Sequence, residues 1–161
     1  MDDNYQIDKT DRQILALLQQ DARMAYLDIA RKILVSGGTV HQRVDKLKKL
    51  GIIKGSKINL DYRKLGHDVT VFLGVHLTST KDLSPVIEKM RTFNEVIEVH
   101  YTTGDFALLI KVRTKSISDF HQFLTQKLQG LEGIRATESF VILDSPIDRD
   151  INMLEGKHSH N

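Results

Sequence analysis

Apolar positions along the chain follow two periods. Through about residue 53 they recur at helical spacing, whereas from Val69 onward long stretches alternate as strands do. Three helices are predicted in the first stretch. Asp8 suits the N-cap of the first, Asp11 places an acid in its opening turn, and Ile14, Leu15, Leu17 and Leu18 supply its apolar face. The second runs from about Ala25 to Ile33, with Leu27, Ala30 and Ile33 at three-residue spacing. The third starts after Ser36, a good N-cap, and aligns Val40, Val44 and Leu47 on one stripe. Leu34-Val35-Ser36 leaves only a short turn between the last two helices, the pattern of a helix-turn-helix. Gly51 to Ile58 then reads as a short strand, turn and strand, which would form a wing.

The alternating half predicts a different architecture. Val69 to Leu77 is a strand, and Asp82 to about Phe93 is a helix with Pro85 in its first turn and Val86, Ile87 and Met90 facing inward. Strands at Val96 to Thr103 and Phe106 to Val112 flank a short turn at Gly104-Asp105. A second helix spans 116–130, with Ile117, Phe120, Phe123 or Leu124, and Leu128 inward, and a last strand covers Thr137 to Leu143. The order βαββαβ is that of a ferredoxin-like sandwich, so the whole chain reads as α+β. Both helices would cover one sheet face. Phe72, Leu109, Val141 and Leu143 are expected on the other, which predicts at least a dimer. The division expected is a winged helix-turn-helix over 1–60, a linker over 61–68, the sandwich over 69–144 and a mobile tail over 145–161.

Composition removes several alternatives. With 40% hydrophobic and 27% charged residues over 161, the chain is not disordered, and the absence of cysteine excludes thiolate catalysis, disulfides and cysteine-ligated zinc. No apolar run approaches the roughly 20 residues of a membrane span, and Met1-Asp2-Asp3 lacks the basic start of a signal peptide, so a soluble cytoplasmic protein is expected. Histidines are scattered without metal-ligand spacing. His100 and His121 read as ordinary polar or core residues, and His158-Ser159-His160 as a solvated tail. No nucleophile and base, and no paired carboxylates, form a recognisable catalytic motif, which argues against an enzyme.

Charge becomes informative only when the chain is divided. The net +2 separates into +4 over residues 1–60 and −2 over 61–161. With the Val40/Val44/Leu47 stripe turned inward, the third helix presents Gly38, Gln42, Asp45, Lys46 and Lys49 outward, with Thr39, His41 and Arg43 on the flanks. That face suits duplex DNA. Gly38 permits close approach, Thr39, His41 and Gln42 are candidates for base edges, and Arg43, Lys46, Lys49 and Lys54 for phosphates.

Ile7-Asp8-x-x-Asp11-x-x-Ile14-Leu15-x-x-Leu18, Asp21-Ala22-Arg23, Ile29-Ala30, Val35-Ser36-x-x-Thr39-Val40-x-x-Arg43-Val44, Gly51-Ile52-Ile53-x-Gly55, Leu65-Gly66, Thr103-Gly104-Asp105-Phe106 and Gly133-Ile134 occur in this order. Together they resemble the Lrp/AsnC family of bacterial and archaeal regulators, over residues 7–144. Ala22-Arg23-x-Ala25-Tyr26, Gly38-Thr39-Val40-His41, Lys111-Val112 and Tyr101-Thr102-Thr103-Gly104 are similar to its asparagine-responsive AsnC branch. The resemblance implies a transcriptional regulator of amino-acid metabolism. It further implies a homodimer assembling to an octamer, and an amino-acid effector, asparagine or another small amino acid, held between dimers by the sandwich. The implied effector residues are Tyr101, Thr102, Gly104 and Asp105 in the strand and turn, Gln129 at the end of the second sandwich helix, and Thr137 and Glu138 on the last strand. An amino-acid-sensing subunit that docks on an enzyme or another protein is the alternative.

Overall fold

The computed structural model describes residues 5–154, which divide into two compact units. One comprises Met1–Asn59 with Ile147–Asn161, the other Leu60–Pro146. His158 and His160, expected in a solvated tail, lie outside the described residues.

In the first unit, α1 (Lys9–Gln20), α2 (Tyr26–Ile33) and α3 (Gly37–Lys49) follow the predicted order. Local chemistry sets their starts. Asp8 caps α1 in a reciprocal box with Asp11, and the Ser36 hydroxyl accepts from the Thr39 amide to cap α3. Ile14, Ile29, Ala30, Val40 and Val44 form the core. In α2 Ile29 and the expected Ala30 are buried and Ile33 is half-buried, whereas Leu27 is exposed, because a strict three-residue step drifts off the face of a 3.6-residue helix. Leu34 ends α2 in the left-handed region, at φ 58°.

The expected wing does not form strands among the described residues. Gly51 adopts φ +70°, and the Ile52 and Ile53 amides both donate to the Leu47 carbonyl, at 3.0 and 3.2 Å. The first wing residues therefore close the C-terminus of α3 and are not available to a ladder. The segment from Lys54 to Leu60 has no regular secondary structure.

The second unit is a four-stranded antiparallel sheet built from β1 (Val69–Leu77), β2 (Val96–Tyr101), β3 (Leu108–Thr114) and β4 (Ile134–Val141), in the order β2-β3-β1-β4. Val71, Leu73 and Val75 of β1 pack with Val86 and Met90 of α4 (Leu83–Met90) and with Phe120 and Phe123, so both helices lie on one face. The second helix begins as α5 (Ile117–Gln122) and continues through Phe123–Leu128 as a π-helical stretch, where the Gln129 amide donates to the Leu124 carbonyl at 2.8 Å. Ile117, expected inward, is exposed in the first turn of α5.

The register corrects the open face. Phe72 pairs with Phe140, while Val141 pairs with Val71 and so points to the helix side. Leu143 lies beyond the end of β4. Gly74 is required by Phe106, whose ring lies against it: a Cβ there would stand 2.5 Å from the ring. Residues 60–68 also belong to this unit, and the Tyr62 ring sits 4.2 Å beneath the Arg113 guanidinium. No described helix is long and apolar enough to cross a membrane.

Candidate functional site

On the first unit, the outer face of α3 carries the residues expected to meet DNA. Gly38, His41, Gln42, Lys46 and Lys49 are exposed, and Thr39 is half-buried with its hydroxyl 2.8 Å from that of Ser36. His41 lies 3.3 Å from Asp45 and tilts against the Tyr26 ring, while Lys46 sits 4.0 Å above the Tyr5 ring. Gln42 and Lys49 make no side-chain hydrogen bond or ion pair among the described residues, so both can engage an incoming surface without breaking a contact. Lys54 is exposed in the segment after α3.

Arg43 has another task. Its Nη1 lies 2.6 Å from Asp8 Oδ2 and 2.9 Å from Asp11 Oδ1, and Asp11 is wholly buried. The Tyr5 hydroxyl donates to the second Asp11 oxygen at 2.6 Å. These contacts hold the start of α1 against α3, so Arg43, expected at a phosphate, has a structural role in this unit. Electrostatics agree: the Asp11 backbone amide, and then the Arg43 guanidinium, hold the Asp8 carboxyl below its ordinary value against the opposing effect of burial. Burial and the bond to Asp11 push the Tyr5 hydroxyl up to about 12. The clamp was hidden from sequence reading because Arg43 stands 32 and 35 positions from its partners.

The second unit holds a cavity of about 330 Å³ at the end of its sheet, at the small end of the range for ligand sites. The expected Gly104-Asp105 hairpin turn is in fact a longer loop over residues 102–107, closed by a bond from the Thr102 amide to the Ala107 carbonyl at 3.1 Å and by the Thr102 hydroxyl donating to the Phe106 carbonyl. Phe106 folds across β1 onto Gly74 and meets Phe140 of β4 at 6.2 Å between ring centres. The loop therefore reaches over the end of the sheet.

Tyr101, Thr102 and Asp105 line this cavity together with Ser79, Thr80 and Arg135. Asp105 and Arg135 form no ion pair with each other, so opposite charges face one space without neutralising each other. Arg135 is absent from the sequence-based set because 30 positions separate it from Asp105. The remaining expected residues do not line the cavity. Gln129 donates to the Thr137 hydroxyl at 3.3 Å, Glu138 lies opposite Gly74 in the ladder, on the open face, and Gly104 is exposed in the loop with open space around it.

Known proteins share both units. A family model described as the AsnC-type helix-turn-helix domain matches residues 7–48, and one described as the Lrp/AsnC ligand binding domain matches residues 70–151. The chain belongs to the Lrp/AsnC family. Regulatory protein AsnC of Haemophilus influenzae is 44% identical over 147 residues, which cover 91% of this chain and 98% of that one. Regulatory protein AsnC of Escherichia coli is 42% identical over 149 residues, covering 92% and 98%. The solved structure of E. coli AsnC superposes with a TM-score of 0.88 at 40% identity, over 92% of this chain and 99% of that one. A regulator from Neisseria meningitidis, solved in complex with L-Met, shares the fold at a TM-score of 0.85 and 20% identity, over 89% and 94%. This Lrp/AsnC chain is thus a DNA-binding transcriptional regulator with a ligand-binding domain, and its relatives are named as regulators. Nothing in these relatives favours a subunit that docks on an enzyme.

Proposed function

We propose that this regulator reads specific duplex DNA with α3 and responds to a small amino acid, asparagine first, bound in the cavity of its second unit. Thr39, His41 and Gln42 meet base edges from the N-terminal half of α3, and Lys46, Lys49 and Lys54 meet phosphates. The observation that carries the effector reading is the presence of both Asp105 and Arg135 in the lining of one small cavity. A zwitterion presents a carboxylate to the guanidinium and an ammonium to the aspartate, and the Thr102, Ser79 and Thr80 hydroxyls are near enough to sort side chains by hydrogen bonding. The L-Met complex of the neisserial relative supports an amino acid as the class.

A homodimer that assembles further, to an octamer, would cover two features of one chain. Phe140 stays 47% exposed beside Phe72 on the open sheet face, and residues 54–60 carry no strand pairing. Gln129, Thr137 and Glu138 lie outside the cavity of one chain and would reach an effector held between dimers. Binding there favours whichever assembly fits the ligand better, which couples effector to DNA. A cytoplasmic, nucleoid-associated location follows from the DNA partner.

Two measurements test the reading. In mobility shifts with genomic fragments at two salt concentrations, the protein selects particular fragments over bulk competitor. Lys49→Ala weakens all duplexes and lowers the salt slope by about one; an unchanged slope removes Lys49 from the phosphate set. In a thermal-shift screen of the twenty amino acids, asparagine raises the melting temperature, and Arg135→Ala abolishes the shift. A flat screen overturns the cavity as an effector site.

A further inference from the structure

The first unit has its own cavity, of about 510 Å³, and no residue so far assigned to DNA contact except Lys54 lines it. Leu15 and Leu18 of α1, Val44 of α3 and Ile52 form its apolar wall, and Lys48, Lys54 and Lys57 stand on its rim. Asp150 and Met153 also line it. These two residues come from the far end of the chain: after β4 the backbone leaves the second unit at Pro146, and Ile147 onward belongs to the first. Met153 is half-buried, whereas Ile147, Ile151 and Leu154 are exposed, so a single apolar anchor enters the groove. The segment carries Asp148 and Asp150 against the single cation Arg149, a net −1, and of these charged residues Asp150 is the one that lines the groove with the three lysines.

We propose that the C-terminal segment, residues 147–154, is the natural occupant of this groove and that it screens Lys48, Lys54 and Lys57 from DNA phosphates. Met153 supplies the anchor, and Asp150 supplies negative charge where a phosphate would otherwise sit. Five residues separate the end of β4 at Val141 from the segment, and Arg135 of the second cavity lies on β4. The segment is thus a second covalent route between β4 and the DNA-binding unit, beside residues 60–68.

The decisive variant is Met153→Asp in the full chain, with Met153→Leu as the conservative control. If the strap is docked, the aspartate expels it. Tryptic cleavage after Lys54 and Lys57 then accelerates severalfold, and binding to a random-sequence duplex tightens about three- to tenfold at low salt with a steeper salt slope, while Met153→Leu behaves as the parent. If the segment is not docked, the added negative charge leaves DNA binding equal or weaker and cleavage unchanged, which overturns the proposal. Faster cleavage without tighter DNA binding overturns the screening role. The cleavage readout involves no DNA, so its failure is distinguishable from a failure of Lys54 as a phosphate contact.

Discussion

Asp11 is wholly buried and depends on two neighbours, the Arg43 guanidinium at 2.9 Å and the Tyr5 hydroxyl at 2.6 Å. Removing the guanidinium leaves a buried carboxylate with no counter-ion. Arg43→Ala is therefore expected to destabilise the first unit by about 3 kcal/mol, with Arg43→Lys restoring only part because an ammonium lacks the planar fork. Urea unfolding followed by helical circular dichroism checks this; a loss near zero removes the clamp. Asp8 adds a pH dependence. Its folded carboxyl titrates below the ordinary value, so the stability it contributes is complete above about pH 4 and is lost as pH falls through the lower folded value. Asp8→Asn should flatten that acid limb in a pH series of melting curves. Residue chemistry that acts locally was legible in the sequence: Asp8 and Ser36 were recognised as caps because a cap needs only the next three residues. The role of Arg43 and the presence of Arg135 were not, because each depends on a partner about 30 positions away.

At the scale of elements, periodicity located every helix and strand of the sandwich and failed where tertiary partners or phase decide. β1 was read at both ends because Val69 to Leu77 alternates without interruption. β4 was placed late and out of phase, since Val141 and Phe140 are both apolar and only pairing with Val71 and Phe72 tells which faces the helices. The wing was overread: Ile52 and Ile53 have strand composition, but their amides satisfy Leu47 at the end of α3. The helix-turn-helix turn contains the opposite case, a residue that local rules disfavour. Leu34 is exposed and left-handed, a conformation that costs a side chain about 1–2 kcal/mol. Leu34→Gly relieves this cost but loosens the unfolded chain, for a net gain of about 0.5–1 kcal/mol. A melting temperature that rises confirms strain at the turn; one that falls shows that the leucine side chain has a use.

Across the whole molecule, the net charge of +2 hides an uneven distribution, with the cations gathered on α3 and after it. Each copy added by assembly repeats that basic surface, so affinity for DNA should climb with oligomer size. Phe140→Asp, on the open sheet face opposite Phe72, is expected to shift sedimentation toward the single chain and to weaken DNA binding in parallel. Unchanged sedimentation would assign the interface elsewhere. The π-helical stretch after α5 has a consequence for how such chains diverge. Its wider turn accommodates one residue more than a regular helix over the same rise, and Gln129 reaches Thr137 at 3.3 Å from the end of that stretch. Deleting a single residue between Phe123 and Leu128 would restore the regular helix and leave Gln129 in phase, because the wider turn absorbs the extra residue. A relative lacking the extra residue would therefore align with a one-residue gap inside this helix and still match on both sides of it.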